Sequence, residues 1–118
     1  MKRVPDYIVR FSSKLCMKSE MRHKLSAVVF DNKSRVINSD YNRWLRIGVN
    51  GFRTSIHAEE GAILGCSRSE LWGSSIFVYR RNGALAMPCH RCMAIIQESG
   101  IKQVFWSNGS GGIDSMRY

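Results

Sequence analysis

Apolar positions along the chain recur in two periods, and the alternation between them sets the expected order of elements. Residues 5–20 carry Tyr7, Ile8, Phe11 and Leu15 at spacings of three and four, with Lys14 and Lys18 elsewhere on the surface, which predicts an amphipathic helix. The run Leu-Ser-Ala-Val-Val-Phe at 25–30 is short and rich in β-branched residues and predicts a strand. Asp31-Asn32-Lys33-Ser34 reads as a turn and residues 35–38 as the start of a second strand, so the two form a hairpin. Residues 39–55 show no clean period and are broken by Gly48, Asn50 and Gly51, which predicts a loop.

Beyond that loop the helical period returns. Residues 57–66 gather Ala58, Ala62, Ile63 and Cys66 on one face, although Gly61 and Gly65 cost about 1 kcal/mol each relative to alanine. Residues 75–79 read as a third strand closed by the turn signal Asn82-Gly83. Pro88 stands where a helix can begin, and 89–99 carries Cys92, Met93, Ile95 and Ile96 at helical spacing, with Gly100 as a C-cap. Residues 102–107 form a fourth strand. The Gly- and Ser-rich stretch 108–118 is expected to be loose apart from a short strand near Met116.

Strands alternating with helices define an α/β layered domain on a mixed sheet. With 118 residues the chain fits one domain, 1–118, whose core is expected at about 25–107. Apolar runs are too short for a transmembrane helix. The basic N-terminus lacks an apolar segment behind it, so a secretory leader is not expected and the protein is read as cytoplasmic, with no membrane partner.

Eighteen basic against nine acidic residues give a formal charge of +9, which favours polyanions or phosphorylated ligands without choosing between a nucleic acid and a free nucleotide. The 39–55 segment mixes aromatic and basic side chains, and a long loop of that kind is often functional. In it, Arg43, Arg46 and Arg53 are candidates to pair a phosphate, and Trp44 and Phe52 to stack on a base.

Two short segments carry the chemistry: His57-Ala58-Glu59 and Pro88-Cys89-His90-Arg91-Cys92, each opening a predicted helix. Zinc prefers nitrogen and sulfur donors, and a catalytic site uses three protein ligands with a fourth position left for water. His57, Cys89 and Cys92 supply three. Cys89 and Cys92 are three apart, so both thiols lie on one side of a helical first turn whose positive end favours thiolates. Two thiolates and a neutral imidazole around a dication sum to zero charge. Glu59 points about 200° around the axis from His57. It is therefore read as a proton shuttle at the open position rather than a fourth ligand. A structural zinc site would want another donor, and His90 between the two cysteines points elsewhere; a redox pair is the other reading of Cys-x-x-Cys. Cys16 and Cys66, set among apolar neighbours, read as buried small hydrophobes.

On these two segments the sequence resembles the cytidine and deoxycytidylate deaminase superfamily, which includes tRNA adenosine deaminases. The resemblance covers roughly residues 25–107. It implies a three-layer α/β/α sandwich with about five strands, zinc between two helix N-termini, and Glu59 as the proton shuttle. It further implies that Asn42, at the end of the second strand, contacts a substrate sugar and that Ala58 offers a backbone group to the base. The segment before His57 is short and lacks further metal ligands, so allosteric nucleotide control is not expected. No closing helix is legible after Ser107, as in a minimal, viral or mobile-element version of the fold.

The expected reaction is hydrolytic deamination of a cytosine nucleotide or nucleoside, deoxycytidylate favoured, with zinc-bound hydroxide as nucleophile and Glu59 moving the protons. The alternatives are a deaminase of polynucleotides, single-stranded DNA or tRNA, and a non-enzymatic zinc-stabilised binding module. Glu59 argues against the last, since a structural site has no use for a carboxylate at an open ligand position. Exposed Trp, Met and Phe suit a homo-oligomer.

Overall fold

The structure is a computed structural model, and it describes residues 3–47 and 52–118, with the side chains of residues 46, 47, 52 and 53 outside the description. Helix α1 (Asp6–Cys16) is followed by β1 (Leu25–Phe30) and β2 (Val36–Tyr41), then by a second hairpin of β3 (Arg43–Ile47) and β4 (Phe52–Ile56). Next come α2 (Ala58–Leu64), the single turn α3 (Arg68–Leu71), β5 (Ser75–Arg80), a 3-10 turn (Arg81–Gly83), α4 (His90–Ser99), β6 (Gln103–Ser107) and β7 (Ile113–Arg117). Among the described residues no helix is long and apolar enough to cross a membrane.

The main sheet has five strands in the order β2-β1-β5-β6-β7. All pairs are antiparallel except β5 and β6, which run parallel and are joined by a crossover through α4. The mixed five-stranded sheet of the sequence reading is therefore present. β1, β5 and β6 are central and bury both faces, which is why each reads as a near-continuous apolar run. Ala27, Val29, Ile76, Val78, Val104 and Trp106 pack on one face with Ala58, Ala62 and Ile63 of α2 and Ile96 of α4. Val28, Phe30, Phe77 and Phe105 pack on the other with Val4 and Ile8, beneath α1. The three layers are thus α1, the sheet, and the layer of α2 and α4.

Several expectations are corrected. The segment read as a loop at 39–55 completes β2 and then forms the β3–β4 hairpin, a separate two-stranded sheet. It lacks a legible period because its apolar and polar positions do not alternate: Trp44 and Leu45 are adjacent, as are Arg53, Thr54 and Ser55. The short strand expected near Met116 is present but the tail is more ordered than expected: β7 pairs with β6 from Gln103↔Arg117 to Ser107↔Ile113 and supplies the fifth strand, its residues all exposed at the sheet edge. Helix α1 ends at Cys16 and buries Ile8, Ser12, Leu15 and Cys16, leaving Tyr7 and Phe11 on its flank.

The two glycines that weaken α2 have a packing reason. A Cβ on Gly61 would collide with the Asp40 carboxylate, and one on Gly65 with the Asn38 amide. Both partners are on β2, so glycine lets α2 lie directly against that edge strand. Asn38 Nδ2 then donates to the Ala62 carbonyl at 2.8 Å.

Candidate active site

Two helix N-termini meet at one end of the sheet. His57 is the N-cap of α2, reached from β4 in extended conformation (φ −73°, ψ 149°). Cys89 is the N-cap of α4 (φ −68°, ψ 167°), following the buried Pro88. Each ligand candidate thus sits where the chain turns into a helix and first-turn amides have no intrahelical partner.

His57, Cys89 and Cys92 place one donor atom each within 4.8 Å of one another. Cys92 Sγ lies 3.2 Å from His57 Nδ1. A tetrahedral ion with bonds of roughly 2.1 Å to nitrogen and 2.3 Å to sulfur would separate such a pair by about 3.6 Å. A shift of a few tenths of an ångström accommodates it, so the donor set fits zinc. Among the described residues no fourth His, Cys, Asp or Glu joins this cluster. His90, exposed at the start of α4, stays outside it. That three-donor set is what an open catalytic site requires and a closed structural site lacks. The Cys92 thiol is fully buried, and burial, with the nearby Glu59 charge, pushes its pKa up strongly in the absence of a metal. A cation at this point is the group that would hold it as a thiolate.

Glu59 is 5% exposed. Burial raises the pKa of its carboxyl, against the opposing influence of its own backbone amide, of His57 and of the Cys92 thiol. It lines a cavity of about 390 Å³ together with His57, Ala58, Cys89, Asn42 and Trp44. Its neighbour Glu60 points away from the cavity. Glu60 Oε1 accepts the His57 backbone N–H at 3.1 Å, and Oε2 accepts from Arg91 at 2.6 Å.

The remaining candidates separate. Ala58 and Asn42 are buried in the wall of the same cavity. The Asn42 amide is engaged with the chain: Oδ1 accepts the Leu25 N–H at 2.9 Å and Nδ2 donates to the His23 carbonyl at 2.5 Å. Trp44 lines the cavity, half exposed. Arg43 does not line it: its guanidinium is held by Asp40, with Nη2–Oδ2 at 2.9 Å. The side chains of Arg46, Arg53 and Phe52 lie outside the described residues. Sequence reasoning missed the Glu60–Arg91 link, although an acid at the third helical position is the capping-box signal. It also missed Arg22 and His23, which line the cavity from the α1–β1 connection.

Fold and donor set together define an α/β/α domain with an open three-donor metal site between two helix N-termini. The family model described as the cytidine and deoxycytidylate deaminase zinc-binding region matches residues 3–108, and the chain belongs to that family. A deoxycytidylate deaminase of Mycobacterium phage D29 is 36% identical over 56 residues, a stretch that is 48% of this chain and 39% of that relative, well under half its length. Two solved structures share the fold. The dCMP deaminase of cyanophage S-TIM5, crystallised with dCMP and dUMP, superposes with a TM-score of 0.66 at 21% identity, covering 90% of this chain and 82% of that one. The cytidine deaminase of Burkholderia pseudomallei gives 0.67 at 18% identity, covering 96% and 92%.

Proposed function

We propose that the chain, acting as a single domain over 1–118, hydrolytically deaminates a cytosine nucleotide or nucleoside, with deoxycytidylate the favoured substrate. One observation carries the reading: the buried carboxyl of Glu59 shares a cavity with His57 and Cys89, two members of a three-donor metal cluster. His57, Cys89 and Cys92 hold zinc. When bound, zinc supplies Lewis acidity that brings the pKa of a water to near 7.

Glu59 does the proton work. Its carboxylate takes a proton from the attacking water and passes it to the ring nitrogen beside the amino-bearing carbon. It then takes the second proton from the hydroxyl now on that carbon and gives it to the amino group, which leaves as ammonia while the carbonyl forms. Burial favours this, because a carboxyl whose pKa is raised toward the working pH both accepts and returns a proton readily. Ala58 offers a first-turn backbone amide to the base. The half-exposed indole of Trp44 gives the base an aromatic wall. Asn42 holds the wall of the sugar subsite through residues 23–25 and retains one amide hydrogen for a hydroxyl. The phage relative is named for deoxycytidylate, which supports a nucleotide over a nucleoside. None of the four cysteines is in a disulfide, which suits the reducing cytoplasm. Leu64 and Trp72, 76% and 80% exposed, favour association of copies.

The same aromatic wall is what a polynucleotide deaminase would use for a flipped base. Zinc-loaded protein offered deoxycytidylate, cytidine, adenosine and a cytosine-containing single strand, with ammonia release followed over a range of salt, separates the readings. The proposal expects deoxycytidylate to be turned over with a shallow salt dependence. A strand contacting several phosphates would lose affinity with a log–log slope of about −0.7 per phosphate. Turnover of the strand alone, steeply salt-sensitive, would overturn the choice of substrate, and no ammonia from any of the four would overturn the reaction.

A further inference from the structure

The cavity of the candidate site does not end at His23. On the far side of Arg22 and His23, which line both spaces, lies a recess of about 220 Å³ also lined by Lys24, Arg80 and Arg81. Its cations come from two segments far apart in sequence, the α1–β1 connection and the end of β5. The main chain fixes them together. Arg81 N–H donates to the Lys24 carbonyl at 2.9 Å, and Leu25 pairs with Arg80 in the sheet. Asn42 grips the same segment from the cavity side through the His23 carbonyl and the Leu25 amide. Arg80 lies 2.7 Å from His23 Nδ1, which receives a guanidinium N–H.

The charge of this recess is uncompensated. Among the described residues no carboxylate lines it, and Glu59 is the single acid lining the neighbouring cavity. Among the described residues, Arg22, Lys24, Arg80 and Arg81 form no ion pair with a carboxylate, whereas Arg35, Arg43 and Arg91 are each paired with one. A wider cleft at the opposite end of the sheet, about 710 Å³, mixes Arg35, Lys102 and Arg117 with Asp31 and Glu70. Unpaired cations held close together raise the local potential and favour a compact, multiply charged anion.

We propose that this recess binds the 5′-phosphate of a cytosine mononucleotide whose base occupies the adjoining cavity, with Arg22 and Arg81 as specificity-determining residues. The proposal rests on the deaminase reading above and moves the phosphate contact from the β3–β4 hairpin to the α1–β1 connection and the end of β5. A phosphomonoester dianion suits several converging cations in a space of this size better than one diester link of a strand, which carries a single charge.

The test compares zinc-loaded wild type with Arg22→Gln, Arg81→Gln and the double variant. Turnover is measured on deoxycytidylate, deoxycytidine and a cytosine-containing single strand. Binding of the unreactive products deoxyuridylate and deoxyuridine is measured by calorimetry, and thermal unfolding checks the fold. The expected result is a fall of roughly tenfold or more, the order of one charge-assisted hydrogen bond, in the nucleotide-to-nucleoside ratio of kcat/KM. The same fall is expected in the deoxyuridylate-to-deoxyuridine ratio of affinities. Ratios unchanged in the double variant would overturn the site, as would a wild type that works on the strand but neither binds nor turns over the mononucleotide. A wild type that binds deoxyuridylate through Arg22 and Arg81 yet releases no ammonia would support the phosphate site while overturning the reaction.

Discussion

The Glu60 carboxylate ties Arg91 to the backbone of His57: Oε2 accepts from Arg91 Nη2 at 2.6 Å while Oε1 accepts the His57 N–H at 3.1 Å. One side chain of α2 thereby joins the first turn of α4, between Cys89 and Cys92, to the residue that offers the nitrogen donor. Arg91 is 65% exposed and Glu60 16%. Solvent screening limits the ion pair itself to about 0–1 kcal/mol, so its value lies in fixing the two helix ends. Glu60→Ala is expected to weaken zinc binding by roughly tenfold, the low end for groups that orient metal ligands, and Arg91→Ala by less. Competition with a chelator measures this. Equal zinc affinity in wild type and Glu60→Ala would show that the link holds nothing in place.

Cys92 is fully buried and Cys89 exposed, yet both are expected to be indispensable to the metal. Elemental analysis of wild type is expected to find close to one zinc per chain. Cys89→Ala is expected to lose most of it and to unfold at lower temperature, because metal binding and folding are coupled. Full zinc retention in that variant would remove Cys89 from the ligand set.

Gly61→Ala opposes two effects. Helix propensity alone would add about 1 kcal/mol, but the new methyl meets the Asp40 side chain, whose carboxylate already holds Arg43. Overpacking of this kind costs about 1–3 kcal/mol, so the net expectation is a less stable protein. Urea denaturation of the two proteins reads the sign, and a variant as stable as wild type would show that Asp40 moves aside freely.

Asp31 closes the β1–β2 turn by accepting the backbone N–H of Lys33 and of Arg35, each at 2.9 Å, with Arg35 Nε also at 2.9 Å. The Arg35 amide, above all, holds this carboxyl below its usual range. The folded state therefore favours the ionised form. The stabilisation is complete above the unfolded pKa of about 3.9 and is lost as pH falls through the lower folded value. Asp31→Ala is expected to be less stable than wild type at pH 7, with the difference shrinking below about pH 4. Comparing the two proteins at each pH cancels the loss of zinc that both suffer in acid. A constant difference across that range would contradict the account.

The parts of the fold legible in sequence are those whose burial is two-sided or whose signals are local. β1, β5 and β6 announce themselves because both faces are covered and nearly every position is apolar. α4 is framed by Pro88 and by Gly100, which adopts φ 94° as the C-cap. The β3–β4 hairpin is hidden because its apolar and polar positions follow neither period, with Trp44 beside Leu45 and Arg53, Thr54 and Ser55 in a row. β7 is legible only as a short strand near Met116, and its extent is not, because all five of its residues are exposed and no alternation marks them. α3 is a single turn, too short for a helical period, although Ser67 and Glu70 carry its capping box.

The same distinction governs the site. His57, Glu59, Cys89 and Cys92 were legible because each pair sits within one helical turn. The Glu60–Arg91 link and the basic recess were not, since each joins segments tens of residues apart that only the sheet brings together. The Arg43–Asp40 pair is not legible either, because Asp40, on the preceding strand, is placed beside Arg43 only once β2 extends to Tyr41.

The central claim is that a buried carboxyl at a metal site moves protons without binding the metal, and Glu59→Gln tests it most directly. The amide is nearly isosteric, so zinc content and the unfolding midpoint are expected to match wild type. Turnover of deoxycytidylate, followed by ammonia release, is expected to fall about 10²–10⁴-fold, the loss typical of a missing general acid–base. A variant that deaminates at close to the wild-type rate, or one that loses its zinc, would contradict the role assigned to Glu59.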